Sequence, residues 1–198
     1  MGALEVITPE HIRAAVSIMF VDGKLAPHVA RRGYALTTED DLGKVLRVHL
    51  LIERALDITI KQSVPNPKFL PRLRSFSDRV KLALALGLDP QMQGALTSIN
   101  SLRNDFAHEG VKEEVTEQDF AHLLSTIPLS WRETVELMHQ VMVEAAVGLE
   151  LDGEQFKPLS EMRPGTRWAT YALAILSGIE FAEIASKLSP DQPHQDVP

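Results

Sequence analysis

The chain has no cysteine, which excludes disulfides and thiolate-ligated zinc. It has no apolar run long enough to span a bilayer. Its first residues, Met-Gly-Ala-Leu-Glu-Val-Ile-Thr, lack the basic and apolar regions of a signal peptide. A soluble cytoplasmic protein with no membrane partner is therefore expected. Basic residues are not in excess either. The net charge of −7 argues against a surface generally coated by nucleic acid, so any RNA contact must be local. Gly-x-Gly-x-x-Gly, the P-loop and Gly-x-Ser-x-Gly are all missing. His11, His28, His122, His139 and His194 show neither His-x-x-x-His nor His-x-x-Glu-His spacing. No metal site and no cofactor are expected.

What is present is helical patterning. Hydrophobic residues make up 44% of 198 positions, ample for one core. Neither an internal repeat nor strand-like alternation is visible, so the expected fold class is all-α. Thr8-Pro9 starts a first helix that ends before Gly23, and Lys24 to Leu36 reads as a loop. Thr38, with Glu39, Asp40 and Asp41 behind it, caps a second helix running to about Lys61. Its stripe is Leu42, Leu46, His49, Glu53, Leu56 and Ile60, two polar residues interrupting an apolar face. After a stiff connector with Pro65, Pro67 and Pro71, Ser75 caps a third helix ending at Gly87. Asp89-Pro90 starts a fourth, whose stripe is Leu96, Ile99, Leu102 and Phe106. Thr116 caps a short helix ending before Pro128. Ser130-Trp131-Arg132-Glu133 reads as a capping box opening a long helix to Gly148. Asp152-Gly153 reads as a turn. Pro164-Gly165-Thr166 precedes a last helix from about Arg167 to Leu188. That helix is too apolar and too acidic (Glu180, Glu183) to lie in a DNA major groove. The proline-rich tail, residues 189–198, is expected to be disordered.

The fourth helix carries the chemistry. It ends in Leu102-Arg103-Asn104-Asp105-Phe106-Ala107-His108-Glu109-Gly110, with Gly110 as its stop. Arginine grips a phosphate with a planar fork. Histidine moves protons near neutral pH. Together they can run phosphodiester chemistry without a metal. Arg103 and His108 are five residues apart, about 140° around a helix, so they do not share a face. Asn104 and His108, four apart, do. An arginine side chain swinging round, or two copies meeting in a dimer, would unite them. The other reading is a helix end whose histidine caps its own carbonyls, with Arg103 paired to a nearby carboxylate. His49 and Glu53 admit two readings as well. They form a satisfied buried pair, or Glu53 orients Arg103 while His49 lines the cleft. The best local basic patch is Lys68, Arg72, Arg74, Arg79 and Lys81, relieved only by Asp78. It reads either as an RNA contact or as an ordinary solvated loop and helix start.

Arg103-Asn104-Asp105-Phe106-Ala107-His108 resembles the Arg-x4–6-His signature of the HEPN superfamily. Ser75 to Leu88, ending in Ala-Leu-Gly-Leu, followed by Ile99-Asn100-Ser101-Leu102-Arg103-Asn104, resembles that superfamily's mannitol operon repressor branch. The resemblance covers roughly Asp41 to Gly148. It implies an antiparallel helical bundle with a core over about residues 38–150, inside one domain of residues 1–188. The first and last helices would then be appendages. It also implies one of two functions. The first is a metal-independent endoribonuclease of toxin or defence type, acting as a homodimer. There Arg103 and His108 are catalytic, Asn104 holds substrate or the histidine ring, and an antitoxin is the partner. The second is a non-catalytic regulator or interaction module working through a protein partner.

Overall fold

A computed structural model of the chain describes residues 20–21, 24–25, 40–108, 112–148 and 156–188. Among these residues the fold is an all-α bundle of six helices. They are α1 (Asp41–Gln62), α2 (Phe76–Ala85), α3 (Met92–His108), α4 (Glu117–Ser125), α5 (Leu129–Gly148) and α6 (Pro164–Leu188). Two-residue strands, β1 (Phe20–Val21) and β2 (Lys24–Leu25), pair antiparallel, Phe20 opposite Leu25. Phe20 and Val21 are thus extended rather than the end of a first helix. The rest of that expected helix, the Lys24–Leu36 loop beyond Leu25, the Asp152-Gly153 turn and the tail lie outside the described residues.

Local chemistry sets most of the helix ends. Ser75 accepts from the Asp78 amide at 3.0 Å and starts α2. α2 stops at Gly87, whose φ of 108° suits a residue without a Cβ. The amides of Leu88 and Gly87 return to the carbonyls of Ala83 and Leu84 at 3.0 and 3.1 Å, a Schellman close. Thr116 and Asp119 form a reciprocal capping box at the start of α4. Asp89 accepts from the Gln91 amide at 2.9 Å and turns the chain into α3. Two expected caps are displaced. α1 is capped by Asp40, which accepts from the Gly43 amide, and not by Thr38, which lies outside the described residues. Ser130 is already inside α5: the amides of Trp131 and Arg132 both bond the Pro128 carbonyl at 3.1 Å.

The stripe on α1 is also shifted. Val45, Val48, Ile52 and Ala55 are buried together with His49, Leu56 and Ile60, whereas Leu42 is 42% exposed. The reason is that α1 meets α6 along one side and α2 and α3 along another, so its buried surface is wider than one stripe. α6 is no appendage, because its largest interface is with α1. Trp168, Ala169, Ala172, Ile175, Leu176 and Ile179 are all at most 2% exposed, as expected of a helix that is apolar nearly all round. α3 packs on α1 and α6, α4 bridges α3 and α6, and α5 rests on α6. No described helix is long and apolar enough to cross a membrane.

One polar contact ties the bundle's start together. Lys44 is fully buried, with its ammonium 3.2 Å from Asp41 Oδ1. The other Asp41 oxygen accepts from the Val115 amide at 2.8 Å. A Cβ on Gly165, in the first turn of α6, would fall 2.1 Å from the Asp41 carboxylate. That glycine lets α6 start directly against Asp41.

Candidate functional site

Arg103 and Asn104 lie half-buried on the C-terminal part of α3. Arg103 Nη1 donates to Asn104 Oδ1 at 3.2 Å. Asn104 therefore holds the guanidinium. One turn earlier on the same face, Asn100 Oδ1 accepts from His49 Nε2 of α1 at 3.2 Å. The His49 ring lies 4.4 Å from the Phe76 ring of α2. His108 is the last residue of α3; its side chain, and Gly110, lie outside the described residues.

Glu53 does not reach Arg103. Its ion pair is to Arg79 of α2 at 3.2 Å. Arg79 Nε also donates to Asp57 Oδ1 at 2.8 Å, and Arg79 Nη1 to the Ser75 carbonyl at 3.1 Å. Arg79 is thus occupied by two carboxylates, which weakens its expected role as an RNA contact. Lys68, Arg72, Arg74 and Lys81 remain exposed. Lys61, Arg72, Arg74 and Arg79 line a groove of about 690 Å³ along with Glu53 and Asp57. Four cations against two carboxylates leave it net positive on an otherwise acidic protein. Beside it Phe69 is 76% exposed, with the Lys68 ammonium 5.0 Å over its ring. Sequence reasoning missed Phe69, Asn100 and Asp57. Phe69 was legible as an aromatic inside a basic, proline-rich connector. The other two are known only by partners on other helices.

Burial holds His49 below the ordinary histidine value. The charges of Arg103 and Arg79 push the same way; the Asn100 hydrogen bond and Glu53 oppose them. His139 of α5 is lowered too, again by burial, against a hydrogen bond with the Lys157 carbonyl. The consequence for stability has a definite sign. Above the unfolded histidine value of about 6.5 both states are neutral at these rings. Below it the unfolded chain takes protons more readily than the fold does, so stability is lost as pH falls. The melting temperature should decline between about pH 7.5 and 5.5, and His49→Gln should flatten part of that decline. A profile unchanged by the substitution would remove His49 from the account.

Among the described residues, no three carboxylate or histidine side chains converge in a way that could hold a metal ion. In comparisons with known proteins, no family model, no curated protein and no solved structure matches the chain.

Proposed function

We propose that the chain is a HEPN-type, metal-independent endoribonuclease that works as a two-fold homodimer on single-stranded RNA. The observation that carries this reading is the Arg103 guanidinium, fixed by Asn104 at 3.2 Å on the helix that His108 closes. An arginine whose fork is aligned beforehand stabilises phosphoryl charge better than a floppy one. The ribose 2′-oxygen attacks the adjacent phosphorus, the P–O2′ bond forms and the P–O5′ bond breaks. His108 takes the 2′-OH proton or delivers one to the departing 5′-oxygen. Arg103 neutralises the non-bridging oxygens. Asn104 positions Arg103 instead of gripping substrate. The net-positive groove lined by Lys61, Arg72, Arg74 and Arg79 offers the RNA backbone a local path. The exposed Phe69 ring beside it gives a base a surface to stack on. Because Arg103 and His108 diverge around one helix, a two-fold axis near the end of α3 would bring the two motifs together.

A second reading, a non-catalytic regulator acting through a protein partner, is favoured by one observation. His49 with Asn100, and Arg79 with Glu53 and Asp57, satisfy one another. Such groups are sufficient as structure. One experiment separates the readings. The enzyme should cut single-stranded RNA in EDTA and leave 2′,3′-cyclic phosphate ends. It should spare DNA, which lacks the 2′-OH, and should run as a dimer in light scattering at micromolar concentration. A monomer that cleaves no RNA in a varied panel would leave the regulator reading.

A further inference from the structure

Two helix faces of opposite charge carry exposed aliphatic side chains. On α1, Arg47, Arg54 and Lys61 are all exposed. They are seven residues apart, so each step turns only ~20° around the helix and the three form one line. Leu50 and Ile58, four before and four after Arg54, lie ~40° to either side of that line. They are 62% and 43% exposed. The acids of α1 do not offset the line: Asp41 faces Lys44, and Glu53 and Asp57 hold Arg79.

α5 presents the converse. Leu129, Glu133, Glu136, Gln140, Val143 and Val147 follow one another at spacings of four and three and share one face. Leu129 and Val147 are 64% and 75% exposed. Glu133, Glu136 and Gln140 are exposed too, and Val143 is half-buried. Glu144, also exposed, stands beside them. The one arginine of α5, Arg132, is half-buried and donates to the Ile127 carbonyl at 2.8 Å. Along this face runs an open trough of about 470 Å³, where Glu136, Val143 and Glu144 stand across from Phe120, Leu124 and Leu159.

We propose that these faces are the two halves of a contact between copies of this chain, α1 of one copy lying along α5 of another. Both faces are exposed within one copy, so they do not cover each other there. Across copies, the cations of α1 meet the glutamates of α5, and Leu50 and Ile58 gain apolar neighbours in the trough. Pairing α1 with α1, or α5 with α5, would set like charges against each other. Nucleic acid would suit the cations of α1 but not its aliphatic flanks, because bases stack on aromatic rings. The faces match in length, ~21 Å from Arg47 to Lys61 and ~27 Å from Leu129 to Val147. Exposed ion pairs contribute little each, so the contact is weak, with a dissociation constant of about 0.1 mM. It lies apart from the two-fold axis proposed near the end of α3 and does not depend on it.

Sedimentation velocity of the nucleic-acid-free, full-length chain, at concentrations bracketing that constant, measures the association. The mean mass should rise with concentration at low salt. It should rise much less in about 1 M salt, where charges are screened beyond about 3 Å. Two charge-reversed variants carry the test. Arg54→Glu with Lys61→Glu turns the α1 face acidic; Glu133→Lys with Glu144→Lys turns the α5 face basic. Each alone should associate at least about ten-fold more weakly than the parent, because like charges now face each other. Mixed one to one, they should associate as the parent does. The acidic α1 of one then meets the basic α5 of the other, and the two unaltered faces meet as before. Recovery in the mixture also shows that both variants fold. All samples keep the end of α3, so a dimer formed there, or its absence, shifts every mass alike. The inference is overturned if the parent's mass does not rise above that of the single variants, if salt leaves the rise unchanged, or if the mixture associates no better than either variant alone.

Discussion

Asp41→Ala should destabilise the fold by about 3–5 kcal/mol, the usual cost of stranding one member of a buried ion pair. Lys44 has no exposure, and Asp41 is the carboxylate beside its ammonium, at 3.2 Å. Removing that carboxylate leaves a charged group in the core and also takes the acceptor from the Val115 amide. For a chain of this size the loss corresponds to a fall of about 6–20 °C in melting temperature. The double variant Asp41→Ala with Lys44→Met should recover most of it. An apolar pair of similar volume often replaces a buried ion pair at little cost. Urea unfolding of the parent, the single and the double variant measures this directly. A single variant that melts within two degrees of the parent would show that Lys44 reaches water despite its burial. A double variant no better than the single would place the whole effect in the lost Val115 bond.

This contact also shows where sequence reading runs out. Ser75, Gly87 and Thr116 are legible because their partners lie within a few residues. A cap or a left-handed turn is a local bargain between a side chain and the next turn's amides. The start of α1 was harder, since Thr38 and Asp40 are both good caps and local chemistry does not choose between them. Lys44 reads as a surface residue because lysine is rarely buried. Its burial follows from α6 crossing α1 at Gly165, more than a hundred residues away in sequence. The same limit made α6 look peripheral: a helix apolar all round has no preferred face, so its neighbours cannot be inferred from its pattern. At the candidate site, Arg103 and Asn104 were legible as neighbours and are hydrogen-bonded. Of the two readings of Glu53, the one that set it against Arg103 fails because Arg79 reaches it from another helix. His49 was recognised as a polar break in the stripe, but its partner Asn100 comes from 51 positions away.

His108→Ala should abolish RNA cleavage, and Arg103→Ala should lower it by roughly 10²–10³-fold, the effect of losing one charge-stabilising donor. The two differ because the reaction has no other proton carrier in this reading, whereas part of the phosphoryl charge remains solvated when the arginine is gone. His108 closes α3, where a helix contributes least to its own stability, so His108→Ala should melt close to the parent. Arg103 is bonded to the exchangeable partner Asn104 and to no carboxylate among the described residues. Its loss therefore strands no buried charge, and Arg103→Ala should also cost little stability. Asn104→Ala supplies the third arm. It leaves the guanidinium in place but unaligned, so kcat should fall while RNA binding holds. Arg103→Lys should rescue little, because an ammonium lacks the bidentate fork. Measuring cleavage rate, RNA affinity and melting temperature for these variants in EDTA decides the matter. Retained cleavage in His108→Ala would remove the proposed chemistry. A large loss of stability in both alanine variants, with no cleavage by the parent, would make Arg103 and His108 structural residues of the bundle.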